Sequence, residues 1–153
     1  MAWSALPGCP VDVPVVLRGL LDPDAAEMAE RALDWFVMSG PMSISATMPA
    51  VVPYLLRLTV DPSVPRRNEL LALVLVAAVL SAPTAPTAPT APGNARQLAI
   101  GGPEEDHPER ALCRAAFVAN ADRVRQLLAD DDLLAGLELD DEDRASLAEA
   151  AGL

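Results

Sequence analysis

Val13-Pro14-Val15-Val16-Leu17-Arg18-Gly19-Leu20-Leu21-Asp22-Pro23 returns 39 residues later as Val52-Pro53-Tyr54-Leu55-Leu56-Arg57-Leu58-Thr59-Val60-Asp61-Pro62, with six of eleven paired positions identical. Repetition at that period marks stacked helical units, none of which can bury its apolar face alone. Within the first copy, Val13, Val16, Leu17, Leu20 and Leu21 follow the i, i+3, i+4, i+7, i+8 spacing of one buried stripe. The second copy offers Val52, Leu55, Leu56, Thr59 and Val60 at the same places. Pro14 and Pro53 are expected in the first helical turn, where the missing N–H has no partner to lose. Asp22-Pro23 and Asp61-Pro62 then end each helix, because the residue before proline is pushed out of the α region. Each aspartate is also placed to cap the helix that follows.

Outward from the repeat, a second helix is expected over about 24–38, with Met28, Ala29, Ala32, Leu33 and Phe36 inward. Glu27 and Arg31 form an i, i+4 pair on its other side. The helix over about 65–81 is charged only at Arg66, Arg67 and Glu69, then apolar all round from Leu70 to Leu80. A helix without a polar face is enclosed by protein, so a further layer must follow it. Residues 107–151 can supply that layer. Pro108 opens a helix with Leu112, Ala115, Ala116 and Ala119 on one face, and a shorter one over 122–129 carries Val124, Leu127 and Leu128. The last, over 141–151, takes Asp140 as N-cap, Asp143 at the third position and Gly152 as its stop. Between the second and third units lies a tandem Ala-Pro-Thr tract, Ala82 to Pro92, with proline at every third place. Such spacing forbids helix and sheet, and a disordered extended loop over 82–103 is expected.

The Val-Pro-x-x-Leu-Arg-x-x-x-Asp-Pro repeat, with amphipathic helices between its copies, resembles HEAT-repeat proteins, in particular short bacterial HEAT-like proteins of uncharacterised role. The likeness covers residues 11–81 best, extends weakly over 107–129 and does not include the Ala-Pro-Thr tract. It implies an all-α fold: a short right-handed α-solenoid, a helical-repeat superhelix of antiparallel helix pairs with about three units. A single domain over 1–153 is expected, with units at about 11–47, 48–81 and 107–151. The resemblance further implies an α-solenoid scaffold whose concave face binds other macromolecules. A competing likeness lies in Ala115-Ala116, Val124 and Leu127-Leu128, which are similar to the helix pair of an ankyrin repeat, although Ala119-Asn120 stands where ankyrin has glycine.

Composition agrees with helices. The chain is 52% hydrophobic but only 3% aromatic, so its core must be Leu, Val and Ala. It contains no lysine, a bias pointing to a GC-rich bacterial genome. The net charge is −11, of which residues 101–153 carry −9, from 5 arginines against 14 acids. That field repels phosphate backbones, and no nucleic-acid partner is expected. Cys9 and Cys113 read as reduced thiols of a cytoplasmic protein. Met1 to Pro14 lacks the pattern of a signal peptide. The apolar run Leu70–Leu80 spans about 16 Å as a helix against the roughly 30 Å of a bilayer core, so no membrane is expected.

Chemistry is sparse. His107 is the one histidine, set in Glu104-Glu105-Asp106-His107-Pro108 without a second nitrogen or sulfur at ligand spacing. Asp130-Asp131-Asp132 and Asp140 to Asp143 lack the alternating ligands and glycine turn of a calcium loop and read as caps and solvated faces. Ser39, Ser43, Ser45 and Thr47 read as loop residues without a paired base. No catalytic, cofactor-binding or metal residue is assigned, and no cofactor is expected. Trp35 reads as core, or as the best aromatic anchor if a partner docks; Trp3 lies in an irregular N-terminus. The expected function is a non-catalytic protein–protein interaction scaffold or adaptor, monomeric, with another protein as partner. The alternatives are an acidic immunity-type inhibitor of a basic toxin and, last, a HEAT-like enzyme.

Overall fold

The computed structural model describes residues 10–83, 104–137 and 139–153, so Cys9, Trp3 and all but Ala82 and Pro83 of the 82–103 loop lie outside the described residues. The fold is mostly helical, as an all-α protein should be. Helices α1 (Val13–Gly19) and α2 (Ala26–Val37) pack on each other and lead into a two-stranded hairpin, β1 (Met38–Gly40) and β2 (Ser43–Ile44). There follow α3 (Met48–Thr59) and α4 (Arg67–Ser81), then a single 3-10 turn at Glu104–Asp106. The chain closes with α5 (Pro108–Val118), α6 (Ala121–Leu128), α7 (Asp131–Gly136) and α8 (Asp141–Ala150).

The Asp-Pro stops behave alike in both copies of the repeat. Asp22 Oδ1 accepts from the Asp24 N–H at 3.1 Å, and Asp61 Oδ1 accepts from the Ser63 N–H at 2.9 Å. Each carboxylate therefore closes its own turn, rather than capping the next helix, which starts further on at Ala26 or Arg67. The helix starts differ between the copies. Pro14 is in the first turn of α1, but α3 begins at Met48, so Pro49 occupies its first turn and Pro53 falls inside the helix. The buried stripe explains the longer helix. Met48, Val51, Val52, Leu55, Leu56 and Thr59 are all enclosed, and starting at Val52 would have left Met48 and Val51 without a helical frame. Thr59 is tolerated there because its hydroxyl donates to the Leu55 carbonyl at 2.8 Å.

One continuous core runs from Val13 to Ala151 through every helix layer. Helix α4 sits at its centre, against α3, α5, α8 and β2. The expected further layer is thus provided by α5 and α8. Enclosure is incomplete, however, because Val76 and Val79 keep 38% and 40% of their surface open. In α2 the inward residues are Ala26, Ala29, Leu33 and Val37, which rotates Met28 out to 77% exposure. In α5 they are Arg110, Cys113 and Phe117, while Leu112, Ala115 and Ala119 face solvent. The pattern misleads at α5 because its inward face includes an arginine, a residue that is rarely enclosed. Val124 and Leu127 are buried in α6 as expected. At α8, Asp140 and Asp143 form a full capping box and Gly152 takes φ 69° past its end.

Polar joints tie the layers together. Arg66 pairs with Glu30 of α2 at 3.0 Å, while its neighbour Arg67 pairs with Asp130 at 2.5 Å and donates to the Thr59 carbonyl. Arg114 of α5 donates to the Ser81 carbonyl at the end of α4 and pairs with Glu104. Asp130 is also the N-cap of α7, accepting from the Leu133 N–H at 3.0 Å. That hydrogen bond first, and Arg67 second, hold its carboxyl below the ordinary value of 3.8.

Two consequences can be measured. In urea melts Phe117→Ala should lower the unfolding free energy by about 3–5 kcal/mol, and Leu112→Ala by less than about 0.5 kcal/mol; equal losses would put α5 the other way round. A carboxyl depressed by folding lends stability that is complete above its unfolded value and fades as pH falls through the folded one. Asp130→Asn, which keeps a capping side chain, should be less stable than wild type at neutral pH. The two stability curves should converge as pH drops below 3.8. Parallel curves would remove Asp130 from the acid response.

Candidate docking surface

With Ala29, Leu33 and Val37 turned inward, the helical period puts Trp35 outside. At about 100° per residue, position 35 lies on the far side of α2 from Leu33 and Val37, in line with Met28 two turns earlier. Its side chain is 82% exposed, the most open of the large apolar residues described, so the expectation of a core tryptophan is overturned. Helix α2 then runs straight into the hairpin, which folds back beside the open edge of α4. Asp34 and Trp35 of α2, Met38 to Pro41 of the hairpin, and Leu73 and Val76 of α4 together line a cleft of about 680 Å³.

The hairpin owes its place to the serines that read as simple loop residues. Ser39 Oγ donates to Ser43 Oγ at 2.9 Å across the strands. Ser45 Oγ donates to the Phe36 carbonyl at 2.7 Å and accepts from the Thr47 N–H at 3.1 Å, joining the end of α2 to the start of α3. Ile44 is only 2% exposed and pins β2 to the core. The serines are therefore spent on holding one wall of the cleft. Asp34 is the only ionisable group among the described lining residues, so the surface is suited to covering apolar side chains.

Elsewhere, the residues singled out for chemistry are dispersed. His107 precedes α5 with Nδ1 2.8 Å from Glu109 Oε1, while Glu104 turns to Arg114. Among the described residues no group of three or more His, Cys, Asp or Glu comes together as a metal site. Asp130 and Asp140 are N-caps, and their runs serve as helix starts. None of the described helices is long and apolar enough to cross a membrane.

The sequence hides the cleft because a helix without a polar face, such as α4, reads as wholly enclosed. Gly40-Pro41, a strong turn signal between two short segments, could have shown the hairpin that leaves α4 open on one side. With this geometry in hand, comparison with protein-family models, with curated proteins and with solved structures finds no match.

Cys113 is fully enclosed, and burial pushes its thiol up to about 12 against the opposing pull of the Ser81 hydroxyl and of Arg114. It is a packed thiol at neutral pH and a poor nucleophile. In a Cys9→Ser background, a disulfide reagent at pH 8 should react with Cys113 only after unfolding. Rapid native labelling would contradict the packing of α5.

Proposed function

We propose that this chain is a non-catalytic protein–protein interaction scaffold that holds a partner protein in the Trp35 cleft. The observation that carries the reading is the pairing of a tryptophan 82% exposed with an open apolar helix edge. Tryptophan is enriched among the residues that dominate binding energy, most of all where it meets an apolar pocket. Apolar surface left open in this way is a recurrent mark of an interaction site. On the same reading the fold is a short right-handed HEAT-like α-solenoid, monomeric and acting in the cytoplasm. Its support is the matched Asp-Pro turns and the way α3 packs on α5 while bordering a furrow with α1.

A second reading, an acidic immunity-type inhibitor of a basic toxin, is favoured by the open carboxylates of the last third. Asp122 and Asp131 are 93% and 89% exposed at the side chain, and Asp132, Asp141, Glu142 and Glu149 are also exposed. Charge of this kind would speed association with a basic partner and would be weakened by salt.

Affinity capture from the native host by wild type and by Trp35→Ala, at low and high salt, separates the two. The scaffold reading expects a stoichiometric partner that survives high salt and binds Trp35→Ala about 30-fold more weakly or worse. The variant's thermal stability should stay close to wild type, since the side chain is outside the core. A basic partner lost at high salt and indifferent to Trp35→Ala would transfer the assignment to the inhibitor.

A further inference from the structure

The repeated arginines of the 39-residue motif end up in one place. Arg18 on α1 and Arg57 on α3 both line a furrow of about 370 Å³ between the two helices, over a floor that includes Leu17, Leu21 and Leu58. Both are exposed, and among the described residues neither guanidinium makes a side-chain hydrogen bond or ion pair. Six other arginines, Arg31, Arg66, Arg67, Arg114, Arg125 and Arg144, each engage a carboxylate. The furrow has a carboxylate of its own, Asp61, but it is turned to Ser63, accepting from the N–H at 2.9 Å and from the hydroxyl at 2.7 Å. These bonds, hydroxyl first, hold Asp61 below the usual carboxylate range, so it stays a charged acceptor closing its turn. The furrow therefore carries a local excess of positive charge on an apolar floor, within a molecule of net charge −11.

We infer that this furrow binds a small amphiphilic carboxylate, its headgroup engaged by Arg18 and Arg57 and its hydrocarbon lying on Leu17, Leu21 and Leu58. Guanidinium groups present forked donors that match a carboxylate. The volume is that of a small-molecule site. An acidic polypeptide is disfavoured as occupant, since it would meet the repulsion of the whole chain, whereas a monoanion meets far less of it. The site is separate from the Trp35 cleft and does not depend on the scaffold reading.

The test is titration of the full chain with sodium octanoate, followed by NMR of arginine Nε–H groups and leucine methyl groups. Acetate supplies the headgroup alone and octanol the chain alone. Octanoate should give saturable shifts at Arg18, Arg57 and the leucine floor, larger than either control gives. Arg18→Gln and Arg57→Gln, both at exposed positions, should each weaken binding about tenfold with an unchanged circular dichroism melt. The proposal is overturned if the double variant binds octanoate like wild type, if octanol does as well as octanoate, or if the shifts centre on Trp35. Tighter binding of a polyglutamate peptide than of octanoate at the furrow would also overturn it, in favour of a macromolecular partner.

Discussion

Enclosing α4 is the constraint on which the rest of this structure depends. From Leu70 to Leu80 the helix offers no polar side chain, and fully burying each leucine or valine is worth about 1.5–3 kcal/mol. No single neighbour can cover such a cylinder. Helix α3 takes one side, α5 and α8 others, and β2 reaches in with Ile44. The later helices are thus recruited to finish the burial of an earlier one, which is why a single core runs through the whole fold. What they fail to cover becomes the floor of the Trp35 cleft.

Around that apolar centre the ionic contacts act as alignment. Arg66 and Arg67 are adjacent in sequence but diverge at the start of α4, one towards α2 and the other towards the start of α7. Such pairs, only 20–32% exposed at the side chain, lose to desolvation part of what they gain by attraction, so their net contribution is modest. Their value is directional, since each cation can meet its partner in only one relative placement of the layers. Arg114 does the same at the other end of α4 by reaching the Ser81 carbonyl.

How much of this was legible depended on whether the deciding physics was local. The capping box at Asp140 and Asp143, the stop at Gly152 and the inward pair Val124 and Leu127 follow from residues a turn or so apart, and all were readable. The start of α3 was not, because Pro49 and Pro53 both satisfy the first-turn rule, and only the tertiary burial of Met48 and Val51 chooses between them. The rotation of α5 is not legible in the sequence because Arg110 is enclosed, something decided by its surroundings rather than by its type. For Trp35 the usual fate of a large aromatic was a poor guide, since the stripe through Ala29, Leu33 and Val37 fixes the rotation of α2 and leaves the tryptophan outside. The short helix α7 was hidden in an acidic run whose first member, Asp130, turned out to be its cap.

The two Asp-Pro turns carry a consequence for the order in which the chain assembles. Their hydrogen bonds join residues two apart, so each can close as soon as its own segment exists, at almost no loop entropy. The joints between layers span much longer stretches, 36 residues for Arg66 to Glu30 and 63 for Arg67 to Asp130. During synthesis the ends of α1 and α3 are therefore marked before the helices have anything to pack against, and the long-range pairs arrive last. The nascent chain is divided into units by its own turns, and the core then has only to bring those ready-made pieces together.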